Sequence, residues 1–206
     1  MKISKIKETK KGRFALFDED EEFLFSVDGE TLVKNGIAEG TALDAGELAR
    51  VQAESDTRKA KDKALAYLSL RDYASGELYD KLCLKFDPHS AAAAVAEMRR
   101  LELLDDARFA RHRAKYLAAR NKSPREIARQ LAEKGIDRDT AAQALAELDA
   151  DPADACDAII QKQYRAKLAA GQTDKVLAAL ARRGFGFAEA KAAVQRALDA
   201  LSTETE

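Results

Sequence analysis

The densest group of residues able to do chemistry is a basic segment between Arg108 and Arg129. It carries eight arginines and lysines against one acid, Glu126, so its net charge is +7 in a chain whose net charge is −1. Such a segment predicts a surface for a phosphate backbone or for an acidic protein groove, although charge runs also arise on ordinary solvated helix faces. The candidate contact residues are Arg111, Lys115, Arg120, Lys122, Arg125 and Arg129, together with Arg71 from an earlier segment.

Residues that would support catalysis are not grouped in this sequence. His89 and His112 have no carboxylate or cysteine at ligand spacing, so we expect both to be solvated. Asp105 and Asp106 are adjacent, and adjacent residues on a helix point about 100° apart, which favours helix capping over paired acid–base catalysis. We therefore expect no enzyme activity, no catalytic residue, no metal site and no cofactor.

Three similar segments position the basic residues. In SPREIARQLAEKGI, Ser123 and Glu126 fit a capping box, Pro124 fits the first helical position, and Gly135 fits a left-handed turn after the helix. Related segments precede it (GELYDKLCLKF) and follow it (TDKVLAALARRGF). Apolar residues repeat at intervals of 49 in two series: Leu78, Ile127 and Val176, and Leu82, Leu131 and Leu180.

The repeat sets the predicted architecture. From residue 56 onward the apolar residues follow a helical period, and each repeat holds three helices in about fifty residues. The sequence therefore predicts a mainly α protein, an elongated and curved tandem array of three three-helix modules at 56–104, 105–150 and 151–206.

Residues 1–55 have a different pattern and predict a small N-terminal β-containing domain. KISKIK, RFALF and EFLFSV alternate apolar and polar residues, which is typical of antiparallel strands. DGETLVKNG and DAGELARVQAES each predict a short helix, the second ending before residue 56.

Composition narrows the class of protein. Cys83 and Cys156 are far apart, so neither a disulfide framework nor a zinc site is indicated, and buried thiols are expected. No stretch of about 18 apolar residues occurs, and no apolar run follows the basic segment MKISKIKETKKG, so a signal peptide is not expected. These features favour a cytoplasmic protein with no membrane association, and we expect it to be a monomer.

A helix-turn-helix is the main competing interpretation. SPREIARQLAEKGIDRDTAAQAL has its spacing, but the second helix, at 137–149, carries four acids and one arginine. An acidic recognition helix would be repelled by DNA phosphates. A transcriptional DNA-binding protein and a generic helical-repeat scaffold remain the alternatives.

Two longer stretches carry a resemblance to a known family. ALAYLSLRDYASGELYDKL and LELLDDARFARHRAKYLAARNKSPREIARQLAEKGI resemble the first and second modules of RecX, the bacterial regulator of the RecA recombinase. The shared features are an arginine before an S-x-E-L helix, an L-L-D-D-x-R-F-A junction and a P-R-x-I-x-x-x-L-x-x-K-G-I helix. The resemblance covers about 64–148 and is weaker in the third module. The N-terminal strands resemble an extra domain of longer members. Phe86, where the other modules have glycine, and Ala74, where the second module has its capping serine, depart from the pattern.

The resemblance implies a function. RecX proteins bind the RecA nucleoprotein filament on single-stranded DNA and limit its growth, ATP hydrolysis, strand exchange and coprotease activity. It therefore implies a non-enzymatic regulator of DNA repair, homologous recombination and the SOS response. RecA is the implied partner and single-stranded DNA a further one. Filament capping and groove binding both remain open.

Overall fold

The computed structural model describes residues 1–203, and the chain divides into two compact units. Unit 1 comprises Met1–Asp72 and Leu78–Leu104, and unit 2 comprises Tyr73–Glu77 and the chain from Asp105 onward. Helices dominate both units, and the only sheet among the described residues is a small N-terminal one. This architecture confirms the predicted fold class.

Unit 1 begins with three antiparallel strands, as the alternation predicted: β1 (Lys5–Glu8), β2 (Phe14–Phe17) and β3 (Phe23–Val27), in the order β1-β2-β3. Leu16 of β2 pairs with Ile6 of β1 and Phe25 of β3. The short helix α1 (Gly29–Lys34) follows. The inward-facing residues form one core: Ile3, Leu16, Phe25, Val27, Ile37, Leu43 and Val51.

The next element corrects one expectation. α2 (Ala45–Leu68) is a single helix of 24 residues, whereas the sequence predicted two helices separated near residue 55. Ser55 is fully buried; its hydroxyl donates to the Ser26 carbonyl (3.0 Å) and accepts from the Arg13 guanidinium (2.6 Å). A buried polar contact here interrupts the apolar period without interrupting the helix. The position 55/56 therefore lies inside α2, and the division into modules remains a prediction.

Two further helices complete unit 1, α3 (Ser75–Cys83) and α4 (Pro88–Arg100). α2 packs along α4, and Leu78, Leu82 and Met98 are buried. The first turn of α3 belongs to unit 2.

Unit 2 contains two hydrophobic cores. One surrounds Ile127 and Leu131, and the other surrounds Val176 and Leu180. All six residues of the two 49-residue series are therefore buried core positions. The elements are α5 (Asp106–Ala118), α6 (Pro124–Ala132), α7 (Arg138–Ala146), α8 (Pro152–Ile159), a π-helical turn (Ile160–Tyr164), α9 (Arg165–Ala169), α10 (Thr173–Arg182) and α11 (Phe187–Thr203).

The third module differs from the simple three-helix expectation in its first helix. A π-helical turn separates α8 from α9 there. Such turns insert a residue into a helix and are frequent at functional sites. Residues 204–206, predicted as part of this module, lie outside the described residues.

Candidate functional site

The first wall of the candidate site is α6 with the turn before it. Ser123 caps α6 by accepting the Glu126 N–H (3.2 Å), and Pro124 occupies the first helical position. With Ile127 and Leu131 buried on one face, the side chains of Arg125 and Arg129 are left exposed.

The preceding turn exposes two more cations. Asn121 has a left-handed φ of 56°, and its N–H donates to the Ala118 carbonyl (2.8 Å). The chain therefore reverses tightly between α5 and α6, leaving Arg120 and Lys122 exposed.

The second wall comes from the third module. The π-helical turn supplies Lys162 and Gln163, and the end of α10 supplies Arg182 and Arg183. None of these four residues belongs to the basic segment noted in the sequence.

A close contact between the Ser123 side chain and the backbone at residues 183–184 joins the two walls. The Ser123 hydroxyl, 1% exposed, donates to the Arg183 carbonyl (2.6 Å). Gly184 has φ +87°, and a Cβ there would lie 2.7 Å from the Ser123 Oγ and 3.1 Å from the Arg125 Cβ. Only glycine fits both the left-handed backbone and the close approach.

Between the walls lies a cleft of about 700 Å³, which we call the basic cleft. Its only acid among the described residues is Glu126. Seven cations line it: Arg120, Lys122, Arg125, Arg129, Lys162, Arg182 and Arg183. Clefts lined by one sign of charge concentrate ligands of the opposite sign.

The single acid of the cleft is already engaged. Arg129 and Gln130 donate hydrogen bonds to the Glu126 carboxylate (2.8–2.9 Å). These bonds lower the pKa of Glu126 to about 2, and its hydrogen bond raises the pKa of Arg129 further above the usual arginine value. The predicted capping box is therefore only half formed, because the carboxylate turns to Arg129 instead of the Ser123 N–H.

Arg183 is held in place by two residues of the π-helical turn. Its guanidinium lies over the Tyr164 ring, 5.1 Å from the centroid, and its Nη2 donates to the Gln163 amide oxygen (2.6 Å). Its Nη1 is buried and has no hydrogen-bond acceptor among the described residues.

The structure brings together four of the seven predicted contact residues: Arg120, Lys122, Arg125 and Arg129. Arg111 and Lys115 do not line the basic cleft; Arg111 lies 3.9 Å from the Glu147 carboxylate, and Lys115 is exposed on α5. Arg71 belongs to unit 1.

Sequence reasoning missed Lys162, Arg182 and Arg183. The 49-residue repeat offered one signal, since it aligns Arg183 with Lys134. By itself, that alignment indicates only a cation near the C-terminus of a helix, where the helix dipole favours one.

Reactive groups are not assembled elsewhere in the part of the chain that the structure describes. His89 and His112 are exposed, and no group of three or more histidine, cysteine or acidic side chains there is placed to hold a metal ion. Asp105 caps α5 by accepting the Arg108 N–H (2.8 Å), as expected. Burial raises the pKa of the Cys156 thiol to about 11, while Cys83 is half-buried.

Across residues 1–203, each helix is too short or too polar to span a bilayer.

Comparison with known proteins gives a consistent set of similarities. Residues 60–98 match the family model described as "RecX, first three-helix domain", and residues 105–145 match "RecX, second three-helix domain". The Regulatory protein RecX of Bacillus licheniformis is 32% identical over 187 residues, which cover 85% of this chain and 69% of that protein. The Bacillus subtilis protein of the same name is 33% identical over 69% of this chain and 55% of its own length.

Two solved structures share the fold. One described as "Crystal structure of regulatory protein RecX" has a TM-score of 0.69 over 92% of this chain and 97% of its own, at 24% identity. RecX from Lactobacillus salivarius has a TM-score of 0.62 over 70% of this chain and 97% of its own, also at 24% identity.

Proposed function

This chain belongs to the RecX family, and we propose that it binds the RecA filament on single-stranded DNA and restrains it without catalysing a reaction. The restrained activities are recombinase, ATPase and coprotease activity, which places the protein in DNA repair, recombination and the SOS response. We also propose that it acts in the cytoplasm as a monomer.

The observation that carries the proposal is the basic cleft. A filament on single-stranded DNA is a repeating polyanion, and seven cations with one engaged acid form a complementary surface. The net charge of the whole chain is only −1, so the attraction is local and indiscriminate duplex binding is disfavoured.

Repetition of modules supports the same proposal. A polymer presents the same surface at regular intervals, and linked modules that contact several subunits gain affinity through effective concentration rather than through one strong contact. In the proposal, unit 2 supplies the principal contacts through Arg120, Lys122, Arg125 and Arg129. Arg111, Lys115 and Arg71 are proposed as peripheral contacts.

The test is the DNA-dependent ATPase of RecA from the same organism, titrated with substoichiometric amounts of this protein. We expect the ATPase rate to fall. The double variant Arg125→Glu/Lys162→Glu takes one cation from each wall, and neither side chain has an ion pair among the described residues, so inhibition is expected to weaken without loss of folding.

A charge-matched control is Arg138→Glu/Lys191→Glu, on exposed positions of α7 and α11 outside the basic cleft. It should inhibit like the unmodified protein. No inhibition at equimolar protein would remove the proposed function. Sequence-selective duplex binding without RecA would then favour a helix-turn-helix DNA-binding protein.

A further inference from the structure

The basic cleft retains cations whose charge the protein does not neutralise. Lys122, Arg125, Lys162 and Arg182 line it, and their side chains make no hydrogen bond or ion pair with the described residues. Like charges gathered in a cleft repel one another, and a bound polyanion removes that repulsion.

Arg183 adds a donor whose position is fixed by neighbouring residues. Tyr164 supports one face of its guanidinium, Gln163 holds Nη2, and the Ser123 hydroxyl holds its carbonyl. A planar guanidinium presents paired N–H groups that match two oxygens of one phosphate. The buried Nη1 has no acceptor among the described residues, so a phosphate oxygen that reached it would satisfy a donor that the protein leaves without one.

We propose that the basic cleft is a phosphate-binding site, with Arg183 as its oriented donor and Arg125, Lys162 and Arg182 as flanking cations. The inference deepens the proposed function and rests on it for biological meaning. The chemistry is that of a phosphodiester or phosphoanhydride group. At about 700 Å³ the cleft lies within the range of about 300–1,000 Å³ typical of ligand sites, which allows more than one phosphate at a time.

The residues that line the cleft also indicate that it does not recognise nucleic-acid bases. Within residues 1–203, no aromatic side chain lines the cleft. The nearby rings of Tyr116 and Tyr164 already carry cations, with Arg120 4.9 Å and Arg183 5.1 Å from the respective centroids. Single-stranded nucleic-acid sites usually add base stacking on aromatic faces. Binding here should therefore depend on phosphate charge and be independent of base identity.

The experiment uses the purified full chain without RecA. Two probes are titrated at several salt concentrations: inorganic pyrophosphate, followed by calorimetry, and a fluorescent thymidine oligonucleotide, followed by anisotropy. We expect the oligonucleotide to bind and pyrophosphate to compete with it.

Three variants identify the site. Arg125→Gln/Lys162→Gln should weaken binding of both probes and reduce the slope of log K against log salt by about 1.4, since each phosphate contact on a single strand contributes about 0.7. Arg138→Gln/Lys191→Gln should leave affinity and slope unchanged. Arg183→Lys keeps the charge but loses the planar donor, so it should weaken binding at an unchanged slope.

The outcomes of these titrations either support or overturn the phosphate-binding proposal. Binding of pyrophosphate alone assigns the site to a free nucleotide, whereas competition between the probes assigns it to a nucleic-acid backbone; both support the proposal. No binding of either probe at low salt overturns it, as does equal weakening by the Arg138/Lys191 control. If RecA inhibition persists in that case, the proposed function stands with contacts elsewhere.

Discussion

Unit 2 contains two junctions with the same backbone arrangement and opposite electrostatic outcomes. In the first, the turn after α6 contacts the first turn of α3; in the second, the turn after α10 contacts the first turn of α6. Gly135 and Gly184 occupy equivalent places, with φ +76° and +87°. The preceding carbonyl accepts a hydrogen bond in both, from the Glu77 N–H (3.1 Å) at the first junction and from the Ser123 hydroxyl (2.6 Å) at the second.

The side chains at these junctions differ. At the first, the Lys134 ammonium pairs with the Glu77 carboxylate (2.6 Å). At the second, Glu126, the repeat counterpart of Glu77, pairs with Arg129 of its own helix. The counterpart of Lys134, Arg183, turns to Tyr164 instead.

The third difference lies in the residue of the facing helix that contacts the glycine. Gly76 packs so closely on Gly135 that a Cβ on either residue would lie 2.7 Å from the other's Cα. Its repeat counterpart is Arg125, which lines the basic cleft. In both junctions the carbonyl before the glycine accepts a hydrogen bond from the facing helix. Two replacements, Arg125 for Gly76 and Arg183 for Lys134, together with a different partner for the glutamate, turn a neutral junction into a basic site.

The largest effect on the free energy of unfolding is expected from substitutions of the junction glycines. Gly135→Ala combines a left-handed residue, which costs about 1–2 kcal/mol, with a clash against backbone atoms, which adds about 1–3 kcal/mol. Gly184→Ala should cost less, because the atoms it meets first, the Ser123 Oγ and the Arg125 Cβ, belong to side chains and not to the backbone. Urea unfolding followed by circular dichroism measures both.

Gly171→Ala is the matched control for that experiment. Gly171 has φ +69°, and a Cβ there would meet nothing within 4 Å, so only the backbone cost of about 1–2 kcal/mol applies. Equal destabilisation of all three variants would mean that the close approach at the junctions contributes nothing.

A smaller effect separates the roles of the two glutamates. Glu77→Gln removes the ion pair to Lys134 across the first junction and should cost about 1 kcal/mol, the upper end for partly exposed pairs. Glu126→Gln removes only a pair within α6, worth about 0.2–0.5 kcal/mol.

The change in pyrophosphate affinity should be larger for Glu126→Gln than for Glu77→Gln, the reverse of their order in stability. Glu126→Gln removes the one negative charge among the described lining residues, which raises the net charge of the basic cleft by one, and is expected to tighten pyrophosphate binding. Glu77→Gln should leave it unchanged, because the first junction has Gly76 where the second has Arg125. Tighter binding by Glu77→Gln would show that charge alone, without the cleft, makes the site.

The buried positions of the repeat and one wall of the basic cleft could be predicted from the sequence. The 49-residue spacing located the buried positions Ile127 and Leu131, and charge density located Arg120, Lys122, Arg125 and Arg129 in one wall of the cleft. Both signals are local in the chain, because helical periodicity and charge runs act within a few turns.

The second wall of the basic cleft could not be predicted from the sequence, for physical reasons. Lys162, Arg182 and Arg183 are separated in sequence from the basic segment, and tertiary contacts such as the one between Ser123 and the Arg183 carbonyl bring them beside it. The π-helical turn carrying Lys162 has no compositional signature. The continuity of α2 was missed because the apolar pattern changes near residue 55, whereas the helix continues through the buried Ser55, whose hydroxyl donates to the Ser26 carbonyl.

The smallest expected effect is a pH dependence that distinguishes the engaged Glu126 from an ordinary carboxylate. Hydrogen bonds from Arg129 and Gln130 lower its pKa from 4.5 to about 2. A carboxylate with a lowered pKa in the folded state contributes stability that is fully present above the unfolded pKa and is lost as pH falls through the folded one. The difference in unfolding free energy between the unmodified protein and Glu126→Gln should therefore be constant above about pH 4.5 and shrink toward pH 2. A difference already independent of pH below 4.5 would mean that Arg129 does not hold Glu126. Arg129 would then be a further uncompensated cation of the basic cleft, and the contrast between the two junctions would be sharper than the hydrogen bonds indicate.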